Sequence, residues 1–169
     1  MRPGAILYHC RRVAKKAEPN SRTIENRKAR FDYHIEDTLE VGIVLAGSEV
    51  KAVRAGLVSL GEGYVMVEGT PPQMTLRGVN IGEYQPAGAL GHRPVRARAL
   101  LAHKREILKF AKLVDQKGMT IVPLKLYFKD GWAKLLIGLA RGKSKSDKRH
   151  SIGEREARRD IDRAMSRRR

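Results

Sequence analysis

The chain has 169 residues, enough for one domain of ordinary size plus appendages, and a formal net charge of +17 from 35 basic and 18 acidic side chains. Charge gathers at the ends: residues 1–30 and residues 141–169 each hold a net +7, while residues 31–140 hold only +3. A single cysteine, Cys10, excludes an internal disulfide and a thiolate metal cluster, and five scattered histidines show no ligand spacing, so neither metal nor cofactor is expected.

The short apolar run Ala5–Tyr8 is too brief for a signal peptide, and no stretch approaches a membrane span, so the expected setting is cytoplasmic. Two cationic ends on a nearly neutral body attract polyanions, nucleic acid ahead of an anionic membrane. Basic tails that merely aid solubility are the plain alternative.

In chain order, residues 1–22 lack sustained periodicity and are expected to be a disordered basic extension. Phe31, Tyr33 and Ile35 alternate with Asp32, His34 and Glu36, and Leu39, Val41, Ile43 and Leu45 continue one apolar strand face. The segment SEVKAVRAG predicts a short helix, with Ser48 as N-cap, Gly56 as stop, Val50 and Val53 inward, and Lys51 and Arg54 outward.

Tyr64–Val67 and Met74–Val79 read as short strands. HKREILKFAKLVDQKG predicts a longer helix, with Ile107, Phe110, Ala111 and Val114 at core spacing and Gly118 as its end. Two apolar runs meeting at Asp130-Gly131 predict a hairpin, with Pro123 marking a strand start or an edge. The expected fold is mainly β with short helices: a closed oligonucleotide-binding-type barrel over residues 23–140 with flanking helices. Beyond it, residues 141–169 are expected to be a basic tail, disordered when free and folding on a partner. Glu154 with Arg158 and Asp160 with Arg163 would support that folding, and Ile161 with Met165 would form its apolar stripe.

No catalytic residue is assigned. The stretch Gly138–Ser144 looks like a phosphate-binding loop but has three residues between its glycines where four are needed, and no long apolar helix follows. His34 reads as an exposed histidine, and Glu36/Asp37 as a solvated strand end. Basic residues fall instead into groups: Arg27, Lys28 and Arg30 beside Asn26; Lys51 and Arg54 on the short helix; Arg93, Arg96 and Arg98 before the long one. Together on a small barrel they suit phosphate contacts. Aromatic residues are only 5% of the chain, which favours folded RNA read by shape over stacked single strands.

The blocks ENRKARFDYHIEDTLEVGIVLAGSEVKAVRAG, VPLKLYFKDGWAKLLIGLARGK and DKR, in that order, closely resemble small protein B (SmpB), the tmRNA-binding (SsrA-binding) family of bacterial trans-translation, over about residues 25–169. The resemblance implies an adaptor that holds the transfer-RNA-like domain of tmRNA, one copy per tmRNA, and brings it to the stalled 70S ribosome. Elongation factor Tu would be met indirectly, through tmRNA. On the resemblance, Asn26, Arg27, Lys28, Arg30, Glu49, Lys51, Arg54 and Arg98 would face tmRNA. Lys143, Asp147, Lys148, Arg149, Arg155, Arg158, Arg159 and Met165 would approach the decoding centre and the empty messenger channel, walled by small-subunit ribosomal RNA.

Glu49 stands out, because a carboxylate facing RNA must accept from base N–H groups or orient neighbouring cations; an acid favoured in a helix's first turn is an equal reading from the residues alone, and only the resemblance favours RNA. The chain departs from the family pattern at Ala99, where a lysine is usual, at Ser146, where an aromatic or histidine is common, and at Ala164, where the family has a bulkier aliphatic. Val13 is the expected natural start, with residues 1–12 upstream of it. The competing readings are a structural ribosomal or general RNA-binding protein, and an RNA-processing enzyme for which no catalytic cluster is found.

Overall fold

Alternation and turn chemistry translate into nine strands and four helices among the described residues, 23–84 and 91–166 of a computed structural model. They run β1 (Ile24–Glu25), α1 (Arg27–Asp32), β2 (Tyr33–Ile43), α2 (Gly47–Ala55), β3 (Val58–Ser59), β4 (Tyr64–Glu68), β5 (Gln73–Arg77), β6 (Asn80–Ile81), β7 (Arg98–Leu101), α3 (Lys104–Lys117), β8 (Thr120–Lys129), β9 (Trp132–Gly142) and α4 (Lys145–Ser166). The expected disordered extension, residues 1–22, and with it the expected start at Val13, lies outside the described residues.

Antiparallel pairing runs β8–β4–β5–β7–β2–β9, and β9 pairs again with β8, so the strand ring closes on itself. β1 adds to β8 at Ile24↔Leu126, and β3 with β6 forms a separate two-stranded sheet. Every second residue points into the ring, and Val41, Met74, Leu76, Ile121, Leu126, Leu135, Ile137 and Leu139 are buried there with hardly any exposure. Each such side chain contributes roughly 1.5–3 kcal/mol on burial.

Pro123 sits within β8, neither at its start nor at an edge. Pairing with β9 slips between Pro123 and Lys125, a bulge that spares proline the ladder bond it cannot donate. The extra residue also reverses the facing of the strand. Val122 and Leu124 point outward into a second apolar cluster with Ala29 and Ala140, and Leu126 returns to the main core. That outer cluster is what α1 packs on.

The Asp130-Gly131 hairpin forms as expected, with Lys129 paired to Trp132 and both turn residues at positive φ, 53° and 79°. Helices α2 and α3 end on Gly56 and Gly118 in the left-handed conformation. Ser48 is not the N-cap of α2: that position is Ala46, and the Ser48 hydroxyl bonds the His92 ring at 3.0 Å instead. Phe31 does not begin a strand, since it lies in the last turn of α1.

Residues 145–166 form α4, the conformation that the helix formers and spaced opposite charges of this stretch support. Ser144 and Asp147 explain the start: the Asp147 carboxylate accepts from the Ser144 backbone N–H at 3.1 Å and its hydroxyl at 2.8 Å, and the Asp147 N–H donates back to Ser144 Oγ. Asp160 pairs with Arg163 at 3.2 Å one turn on, as the spacing suggested.

Candidate nucleic-acid interface

Three residues expected to face RNA are inside the protein. Arg98 is fully buried at the start of β7; its Nε donates to Glu49 Oε1 at 2.9 Å, and its Nη atoms donate to the carbonyls of Val79, Pro94 and Arg96. Glu49 is equally buried and accepts from Arg96 as well, and from the Ala46 backbone N–H at 2.7 Å. Burial opposes the charged carboxylate, but the bonds from Arg96 and Ala46 and the charge of Arg98 outweigh it and hold Glu49 below the usual glutamate range. Glu49 therefore orients neighbouring arginines, one of the readings its type allowed, and does so inside the fold.

Asn26 is the third. Its Oδ1 accepts from the Ala29 N–H at 3.0 Å as the N-cap of α1, while Nδ2 donates to the carbonyls of Leu60 (2.9 Å) and Pro123 (3.0 Å). Both amide protons and the carbonyl are thus used internally. These bonds stand the six-residue helix against β8, something too short a helix cannot do by propensity alone.

The other residues expected to face tmRNA are on the outside. Arg27, Lys28 and Arg30 are exposed on α1, and Lys51 and Arg54 on α2. Lys28 is paired with Glu62 at 2.7 Å, a solvent-exposed bond that a phosphate can replace at little cost. The Lys51 ammonium lies 5.1 Å from the Tyr84 ring centre, and the Arg54 guanidinium 5.3 Å from that of Phe128. Asn26 is fixed to Pro123 and Arg54 sits on Phe128, so α1 and α2 are each anchored to β8, five residues apart along it.

An apolar groove of about 690 Å³ adjoins Arg54, lined by Val44, Val50, Leu101, Phe128, Trp132 and Lys134 among others. Trp132 is 69% exposed and Leu101 62%, an unusual amount for such residues gathered in one place. Beside it, Glu40 lies 3.6 Å from Lys134 and accepts a hydrogen bond from the Tyr127 hydroxyl. That bond pushes the Tyr127 phenol up to about 12. Neither feature was read from the sequence, since the lining residues come from β2, α2, β7 and the β8–β9 hairpin. The hairpin tryptophan beside a glycine turn was the one available signal.

At the other end, α4 leaves the ring tied to α1. The Lys143 N–H donates to the Asp32 carbonyl at 2.9 Å, its ammonium to that of Arg30 at 3.2 Å, and Lys148 pairs with Asp32 at 2.7 Å. Asp147 caps the helix and lies 3.7 Å from His34. Arg149 and Arg159 are exposed further along, and Ile161 and Met165 present an apolar stripe 62% and 68% exposed. Arg155 and Arg158 lie on the same helix, their side chains outside the described residues, as is the expected Glu154–Arg158 pair.

Gly138 and Gly142, the glycines of the supposed phosphate loop, both belong to β9. A Cβ on Gly138 would come within 2.8 Å of Leu124 Cδ1 and 3.0 Å of Ile35 Cγ2, so the glycine admits close packing and cradles nothing. Among the described residues, no three His, Cys, Asp or Glu side chains gather to hold a metal ion. Nor is any helix there long and apolar enough to cross a membrane.

The family model described as SmpB protein matches residues 23–167. The chain belongs to the SmpB family. An SsrA-binding protein of Anaeromyxobacter sp. (strain K) is 51% identical over 142 residues, 84% of this chain and 86% of that protein. One of Staphylococcus aureus (strain Newman) is 46% identical over 153 residues, 90% of this chain and 97% of its own. A solved structure from a study of "tmRNA-SmpB: a journey to the center of the bacterial ribosome" superposes with a TM-score of 0.62 at 41% identity, covering 77% of this chain and 94% of that one.

The two SmpB-like motifs each divide between architecture and surface. In NRKAR, Asn26 and Ala29 are buried and clamp α1, leaving Arg27, Lys28 and Arg30 outside. In GSEVKAVRAG, Glu49, Ala52 and Val53 are buried and Gly56 ends the helix, leaving Lys51 and Arg54 outside. The SmpB match spans the ring and α4 alike.

Proposed function

We propose that the chain is an RNA-binding adaptor of trans-translation. Its ring, an oligonucleotide-binding-type barrel on this reading, holds the transfer-RNA-like domain of tmRNA and delivers it to ribosomes stalled without a codon. The similarity to SsrA-binding proteins supports the partner, and the arrangement of exposed cations supports the manner. Arg27, Lys28 and Arg30 on α1 and Lys51 and Arg54 on α2 offer phosphate contacts from two separate helices, which suits a folded RNA better than a single contact. Asn26, Glu49 and Arg98 act by positioning those surfaces. The Trp132 groove beside Arg54 accepts unstacked bases at an RNA bend.

Residues 141–169 serve the ribosome. Lys143, Asp147, Lys148 and Arg149 approach the decoding centre, and Arg155, Arg158, Arg159 and Met165 lie along the vacant messenger channel. Message in that channel would exclude the helix and withdraw its binding energy, so the segment reports whether message is missing. The adaptor acts in the cytoplasm, one copy per tmRNA, with elongation factor Tu reached only through the RNA, and it turns over no substrate.

The observation that carries the proposal is the pair of SmpB-like motifs placing their cations outward on α1 and α2. Co-purification from bacterial lysate followed by RNA sequencing tests it. Enrichment of tmRNA is the expected result. Stoichiometric ribosomal RNA that resists high salt would instead indicate a structural ribosomal protein.

A further inference from the structure

Between the foot of α4 and the outer apolar cluster lies a cleft of about 470 Å³, within the range of sites that hold small ligands. Its floor is aliphatic: Ile35 from β2, Leu124 from β8 and Leu136 from β9. Its rim is polar and carries two cations, Arg30 from the last turn of α1 and Lys143 just past β9, beside His34, Thr38 and the Tyr33 ring from β2. The Lys143 ammonium uses one of its three donors on the Arg30 carbonyl, which holds it at the rim. Asp147 lies 3.7 Å from His34 and is occupied in capping α4, and Asp32 is occupied by Lys148.

An apolar floor beneath a rim that carries two cations matches a nucleobase joined to a phosphate. Neither half alone explains the other: an anion site needs no aliphatic floor, and an apolar ligand needs no cations. We infer that this cleft binds one unpaired nucleotide of RNA, its base against Leu124, Leu136 and Tyr33 and its phosphate between Arg30 and Lys143. Thr38 offers a hydroxyl to the base edge or the ribose. The inference rests on the RNA-binding reading above and narrows it, joining Arg30 and Lys143, which belonged to separate RNA surfaces, into one subsite. Because Lys143 leads directly into α4, a nucleotide seated here would also fix the direction in which that helix leaves the ring.

The test is methyl and amide NMR of the full, RNA-free chain titrated with a nucleoside 5′-monophosphate, and in parallel with inorganic phosphate and with the nucleoside alone. The expected result is saturable shifts at the Ile35, Leu124 and Leu136 methyls with the monophosphate, weakened about tenfold in an Arg30→Ala/Lys143→Ala double variant. Both substitutions are at the surface or rim, and the unchanged methyl spectrum of the main core would verify folding. Equal shifts with inorganic phosphate would reduce the cleft to an anion site and overturn the inference. So would shifts confined to the Trp132 groove, or none. Binding of the tmRNA transfer-RNA-like domain, measured on the same sample, separates the two levels. If that RNA binds while the cleft stays silent, the subsite alone is wrong; if neither binds, the functional reading fails as well.

Discussion

Glu49 Oε1 and Arg98 Nε meet at 2.9 Å with both side chains fully buried, joining the first turn of α2 to the start of β7. Removing the carboxylate would strand Arg98 without its counter-charge, which typically costs about 3–5 kcal/mol. Glu49→Ala should therefore lower stability by that order in denaturant unfolding. Glu49→Arg should be worse, and should weaken tmRNA binding despite adding positive charge, because the surface carrying Lys51 and Arg54 would lose its support. A Glu49→Ala loss below about 1 kcal/mol would show the pair to be replaceable by solvent.

The same carboxylate sets an acid limit. Its folded pKa lies below the ordinary 4.5, so below 4.5 the unfolded chain binds more protons at this site, and stability rises with pH. The contribution is fully present above 4.5 and disappears as pH falls through the folded value. Unfolding measured from neutral pH downward should steepen below 4.5 in the parent chain. It should slope less there in Glu49→Gln, which starts from lower stability. Parallel acid slopes would assign the acid sensitivity to other carboxylates.

Asn26→Ala removes the cap of α1 and leaves the carbonyls of Leu60 and Pro123 without their donor. The expected cost is about 2–4 kcal/mol, from one cap and two buried acceptors. Amide exchange should quicken first in α1, and tmRNA affinity should fall although no RNA contact has been deleted. Unchanged exchange in α1 would contradict the clamp.

Gly138→Ala should destabilise by roughly 1–3 kcal/mol, since the new methyl would press on Leu124 and Ile35 across two strands. A phosphate-loop role would predict the opposite pattern, intact stability with lost nucleotide binding. Thermal unfolding distinguishes them directly.

Much of the fold was legible because its signals are local. The Asp130-Gly131 turn, the two glycine-stopped helices and the alternation from Leu39 to Ile43 are each written in one short continuous stretch of chain. What sequence missed is non-local. Glu49 and Arg98 read as surface charges until the fold brings them together across 49 residues of chain. Helix α1 depends on carbonyls at Leu60 and Pro123, and the Trp132 groove is assembled from segments far apart in sequence. At the C-terminus, composition showed a basic tail with helix-supporting charge pairs, but not the Ser144–Asp147 cap or the Lys148–Asp32 pair that hold the first turn of α4.

That the body recognises tmRNA and helix α4 does not is tested most directly by truncation after Ser144, which keeps Lys143 with the ring. Affinity for the transfer-RNA-like domain would be measured beside the full chain at one salt concentration, since phosphate contacts make the constants salt-dependent. We expect the two affinities to agree within about threefold, a difference well under 1 kcal/mol. A truncated chain that binds this RNA no better than an unrelated RNA of equal length would contradict that division of labour.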